Sequence, residues 1–155
     1  MNWKQIFKTV IVLGAVVAII SLAAPHNGTP NTAVAPETGL RTIQLAGQDI
    51  KASVVSTREE RSKGLGGRIG LARNEGMLFV FDSDGEYRFW MKDMLFPIDI
   101  LWLSEGGGVV DIKGKISPAT YPDVFTPKAP ARYVLELPAG FSEEYSVKVG
   151  DIVGL

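Results

Sequence analysis

Gly76-Met77-Leu78-Phe79-Val80-Phe81 is an almost unbroken apolar run closed by Asp82-Ser83-Asp84-Gly85. A run so short, ending in turn residues, predicts a strand buried on both faces. This is the strictest constraint in the chain, because the flanking segments must then supply its partners. Residues 41–45 and 49–56 alternate polar and apolar across Ala46-Gly47-Gln48, a hairpin pattern. Thr57 suits the N-cap of a short helix, and Glu60 three residues on completes a capping box. Gly64, Gly66, Gly67 and Gly70 then end the helix and open an irregular loop.

Further strands are expected at 86–92, 98–104, 109–116 and 132–137, with Pro97 at a strand entry or bulge. Residues 141–149 read as a short helical turn or an irregular packed segment, and 151–153 as a last strand. Pro118, Pro122, Pro127 and Pro130 mark a long ordered loop, which a compact domain seldom carries without a use. The count predicts a mainly β domain. Its expected architecture is a compact β-sandwich or squat barrel of about seven or eight short strands with one short helix.

The first 40 residues read differently. Lys4 and Lys8 precede an apolar run from Val10 to Ala24 broken only by Ser21. The pattern predicts a signal peptide or an N-terminal membrane anchor over residues 1–24. Residues 25–39, rich in Pro, Asn, Thr and Gly, are expected to form a flexible linker, and residues 40–155 a single domain. Either fate of the leader exports that domain. It would face outward from a membrane anchor, or be periplasmic or secreted after cleavage.

Composition removes whole classes of chemistry. The chain has no cysteine, so disulfides, thiol nucleophiles, cysteine zinc sites and a lipoprotein anchor are excluded. Its single histidine, His26, lies in the linker, so the folded domain holds no histidine base and no histidine metal cluster. Net charge is −1, without the basic excess that nucleic acid would attract. No cofactor, metal or catalytic residue is implied.

The motifs Arg61-x-x-Gly64-Leu65, Gly76 to Phe81 and Phe89-Trp90-Met91-Lys92 occur in order. Pro97-Ile98-Asp99-Ile100, Tyr133-Val134-Leu135-Glu136-Leu137-Pro138-Ala139-Gly140 and Gly150-Asp151 follow. This series resembles the exported, uncharacterised domain family known as domain of unknown function one hundred and ninety-two, over about residues 41 to 155. The resemblance implies a compact mainly β domain and no agreed activity. The chain departs from the family pattern at Gly66-Gly67, where a methionine and an aromatic are usual. It departs again at Asp93, where asparagine is usual.

Polar residues punctuating apolar strands mark the candidate ligand-binding set: Arg61, Trp90, Lys92, Asp93, Asp99 and Glu136, with Tyr121 and Phe125 as a rim or lid. Arg61 would hold a carboxylate or phosphate. Asp99 would accept hydrogen bonds, and Lys92 would tune Asp93 and Asp99 by proximity. The leading expectation is a non-catalytic ligand-binding or interaction module of the cell envelope. Its partner would be a small molecule, a glycan or an envelope protein, with the membrane as a further partner if the leader is retained. Asp99 and Glu136 on one face would instead suit an envelope polysaccharide hydrolase. A purely structural partner in an envelope complex is the third reading. Arg61, Arg68 and Arg73 around the glycine loop fit anion binding but lack phosphate-loop spacing. Met77, Met91 and Met94 fit copper(I), though methionine in apolar runs is usually core filler.

Overall fold

The computed structural model describes residues 39–155. The expected signal or anchor and almost all of the linker lie outside them. Eight strands, two short helices and a 3₁₀ turn follow in order. They are β1 (Gly39–Leu45), β2 (Gln48–Val55), α1 (Arg58–Lys63), β3 (Glu75–Gly85), β4 (Phe89–Trp90) and β5 (Ile98–Leu103). Next come β6 (Val109–Ile116), the 3₁₀ turn (Pro118–Thr120), β7 (Val124–Phe125), β8 (Ala131–Pro138) and α2 (Phe141–Glu144). No helix among the described residues is long and apolar enough to cross a membrane.

The domain is mainly β, as expected, and is built on one six-stranded sheet ordered β1-β2-β3-β8-β5-β6. β2 and β3 are parallel and joined through α1; the other neighbours are antiparallel. The edge strands β1 and β6 do not pair with each other, so the sheet stays open rather than closing into a barrel. β4 and β7 form a separate two-stranded ribbon. The β1–β2 hairpin turns at Ala46 and Gly47, both at positive φ (50° and 75°), the backbone that matches the twist of a two-residue hairpin.

Both faces of the sheet are covered. One face packs Ile43, Ile50, Leu78, Leu101, Leu135 and Leu137 under Phe141 and Val147. The other packs Met77, Phe79, Ile98, Ile100, Trp102 and Val134 under Leu65, Met91 and Met94. That double cover explains why β5 is buried at every position and is apolar except at Asp99. The three methionines weighed as copper ligands are core filling.

The capping box at α1 is formed. Thr57 Oγ1 accepts from Glu60 N at 3.2 Å, and Glu60 Oε2 accepts from Thr57 N at 3.1 Å and Ser56 N at 3.2 Å. The Thr57 amide, then that of Ser56, hold the Glu60 carboxyl below its ordinary range.

Three segments differ from expectation. The turn expected at 82–85 is carried inside β3, whose pairing with β8 shifts register between Val80 and Gly85. The strand expected at 86–92 shrinks to Phe89–Trp90, because Met91 and Met94 turn inward to the core and Asp93 takes a positive φ of 58°. The last strand is reduced to isolated bridges from Gly154 to Gln44 and from Ile152 to Gly108.

Candidate functional site

β8 carries the central residue of the site. Glu136 pairs with Met77 of β3 and Ile100 of β5, so its side chain shares their face of the sheet. It is 5% exposed, and its Oε2 has no hydrogen-bond partner. Burial disfavours the charged form and pushes its pKa up to about 8, against a smaller opposing pull from Arg68. Burial thus favours the carboxylic-acid form of Glu136. Buried polar atoms are nearly always satisfied, which makes this one informative.

Glu136 lies at the floor of a cleft of about 320 Å³. Its walls come from α1, the loop through Gly64 and Gly66, the middle of β3 and the segment around β4. Phe81 and Tyr87 stack with ring centroids 3.4 Å apart and an interplanar angle of 10°. The Arg61 guanidinium lies over Phe81, 4.8 Å from its centroid, while donating to the carbonyls of Ser56 and Val80, the latter at 2.8 Å. Arg61 thus clamps α1 to β3 and fixes the wall. Arg58, Lys63, Arg88 and Lys92 also line the cleft, and none is in an ion pair among the described residues. Lys92 Nζ sits 5.8 Å from the ring centroid of Trp90, which is 52% exposed.

Two further crevices adjoin the cleft, sharing Lys63 and Gly66 with it. The glycines keep this region open. A Cβ on Gly66 would lie 3.0 Å from Lys63 O and 3.5 Å from Asp93 Cβ, and Gly67, at φ +76°, has nothing within 4 Å. The Gly67 amide donates to Asp93 O at 2.9 Å, tying the loop to the end of β4.

Four of the sequence-predicted residues converge: Arg61, Trp90, Lys92 and Glu136 line the one cleft. Asp93 lines an adjoining crevice with Trp90 and Lys92. Tyr121 meets Trp90 edge-on at 6.0 Å but does not itself line the cleft. Phe125 does not line the cleft; it pairs with Phe89 in the ribbon and packs against the core. Arg73 is elsewhere, paired with Glu144.

Asp99 is the main correction. It pairs with Leu137, one residue out of step with Glu136, and so belongs to the opposite face of the sheet. It is 1% exposed, and its carboxyl oxygens accept from the amides of Lys115 (2.8 Å), Gly140 (2.9 Å) and Ser142 (2.8 Å). Those bonds fix the turn from β8 into α2, a structural role. Asp99 and Glu136 cannot flank one substrate, so the paired-carboxylate geometry of a glycosidase is absent. Nor do Asp99 and Lys92 share the cleft.

Sequence reasoning missed Arg58, Lys63, Tyr87 and Arg88. Their signal was basic residues on one short helix and a Tyr-Arg pair directly before Phe89-Trp90. No group of three or more His, Cys, Asp or Glu among the described residues could hold a metal.

The profile of the family described as Uncharacterized ACR, the domain of unknown function expected from the motifs, matches residues 41–155. The chain is 34% identical over 82 residues to a UPF0127 protein of Thermococcus gammatolerans, covering 52% of this chain and 51% of that one. It is 32% identical over 107 residues to a UPF0127 protein of Thermococcus kodakarensis, covering 66% and 63%. The matches thus span between about half and just under two thirds of these relatives' length. Among solved structures, a protein of unknown function from Novosphingobium aromaticivorans superposes with a TM-score of 0.71 at 25% identity, covering 79% of this chain and 94% of that one. A candidate transcription regulator from Sinorhizobium meliloti gives 0.67 at 29% identity, covering 74% and 89%.

Proposed function

Starting from the fact that this chain belongs to the Uncharacterized ACR family, we propose that its domain is a non-catalytic binding module. Its ligand is a small organic molecule carrying negative charge and a flat apolar body. One observation carries this reading: cations without ion-pair partners surround exposed aromatic surface above a buried, unpartnered acid. A convergent set of this kind in a concave site is the usual form of a small-molecule site. The cations attract an anion, Trp90 and Tyr121 offer a face to a flat group, and Arg61 keeps the wall rigid.

Calorimetric titration of the full chain tests this with 1-naphthoate, 1-naphthyl phosphate and the neutral 1-naphthalenemethanol. The anions should bind at least about tenfold more tightly than the alcohol, and added salt should weaken them. Trp90→Ala should cost about tenfold and Lys92→Ala about threefold to tenfold. Equal affinity for the neutral alcohol, or unchanged anion binding in a W90A/K92A chain, would contradict the reading.

We place the domain on the outer side of a membrane or beyond it. The support is the order of the N-terminal sequence, Lys4 and Lys8 before an apolar run. Alkaline phosphatase fused after Leu155 should be active in cells, since it folds only after export. An inactive but intact fusion would reject that location.

A further inference from the structure

We propose that Glu136 is the hydrogen-bond donor of the site, presenting its carboxylic O–H to an anionic oxygen of a carboxylate or phosphate on the bound molecule. The inference rests on the binding reading above and adds which ligand atom reaches the floor and which side carries the proton.

The surroundings of Glu136 decide the polarity of the contact. From β3 it meets Met77, and from β5 Ile100, both apolar; the carboxyl on the same face of β3 is that of Glu75, exposed at the start of the strand. From α1 and the glycine loop come Arg58, Arg61 and Lys63, with Arg68 and the capping-box carboxylate Glu60 in the adjoining crevice. From the segment around β4 come Tyr87, Arg88 and Lys92. The Tyr87 hydroxyl is already committed, donating to Ser83 O at 2.6 Å. Glu136 is the one carboxyl lining the cleft.

A cationic ligand would have to pass this ring of positive charge, and an ionised Glu136 would repel an anionic one. A protonated Glu136 resolves both conflicts. An acid O–H facing a ligand anion makes a short charge-assisted hydrogen bond, and it would satisfy an oxygen that now has no partner. Burial among apolar side chains disfavours the charged form and so favours the protonated one. The ligand anion then keeps that proton in place, so affinity must fall once the pH rises far enough to remove it.

The test is calorimetry of the full chain with 1-naphthoate and 1-naphthyl phosphate at pH near 6.5 and near 9. With Glu136 losing its proton near pH 8, wild-type affinity should drop about tenfold between the two conditions. E136Q, which keeps an N–H donor and cannot titrate, should bind within about threefold of wild type at the lower pH and show no drop. E136M, with a similar shape and no donor, should be about tenfold weaker at both. Because all chains share the same lysines and Tyr87, titration of those groups cancels in the comparison. An equal pH drop in wild type and E136Q overturns the inference, as does wild-type affinity in E136M. Failure of either anion to bind wild type at any pH instead overturns the binding reading beneath it. A larger pH drop with naphthoate or with naphthyl phosphate supports the inference and identifies the preferred acid.

Discussion

Raising the pH from about 5 to about 8 is expected to remove about 4 kcal/mol of unfolding free energy from the wild-type chain, and E136Q to abolish that loss. In the folded state Glu136 keeps its proton up to about pH 8, whereas in the unfolded chain it gives it up near the ordinary glutamate value of 4.5. Between those values the unfolded state binds fewer protons, so each pH unit favours unfolding by about 1.4 kcal/mol. Below that window the group contributes nothing to the slope, and above it the loss is complete. The other displaced groups stay outside. Glu60 and Asp151 are lowered by hydrogen bonds, first from the Thr57 amide and the Lys148 side chain respectively, and titrate on the acid side. Lys115 and Arg132 are raised by their hydrogen bonds to Glu143 and Asp84 and titrate above it. Urea unfolding midpoints at three pH values across the window measure the difference. Parallel wild-type and E136Q curves would mean that Glu136 titrates like an exposed carboxylate.

Asp99→Ala is expected to cost about 2–4 kcal/mol, because it removes the acceptor of three backbone amides at once, the Ser142 amide buried and the Lys115 and Gly140 amides partly buried. Asp99→Asn should cost less, about 1–3 kcal/mol. Its carbonyl can still accept from Lys115 and Gly140, while its amide meets the Ser142 N–H donor to donor. Hydrogen exchange should accelerate at Lys115, Gly140 and Ser142. A cost below about 0.5 kcal/mol for Asp99→Ala, the range of an ordinary surface substitution, would return Asp99 to the list of ligand-facing residues. The two carboxyls thus separate by face: Glu136 carries the expected pH response on one, and Asp99 holds the β8–α2 turn on the other.

Much of this architecture was legible because the local signals agreed with one another. The Ala46-Gly47 hairpin, the Thr57–Glu60 capping box and the apolar run of β3 each formed as their residues dictate. Two non-local facts were not available from sequence. One was that α2 and the segment to Val147 cover the opposite face of the sheet, turning an expected wet position into a buried one. The other was the β5–β8 register. A one-residue step moves a side chain to the other face, and Asp99 pairs with Leu137 rather than Glu136. The cleft itself was half legible. The motif residues Arg61, Trp90, Lys92 and Glu136 converge, but Arg58, Lys63 and Arg88 looked like ordinary surface charges until the fold gathered them around one acid.

In the proposed site an uncharged acid, Glu136, lies beneath a cationic, aromatic cleft that takes organic anions. The most direct measurement is the carboxyl ¹³C shift of Glu136, assigned against E136Q, followed with pH in the full chain with and without saturating 1-naphthoate. The account predicts no titration near the ordinary carboxylate value, a midpoint near pH 8 in the free protein, and a higher midpoint with the anion bound. A midpoint in the ordinary carboxylate range, or one that the anion lowers or leaves in place, would contradict it.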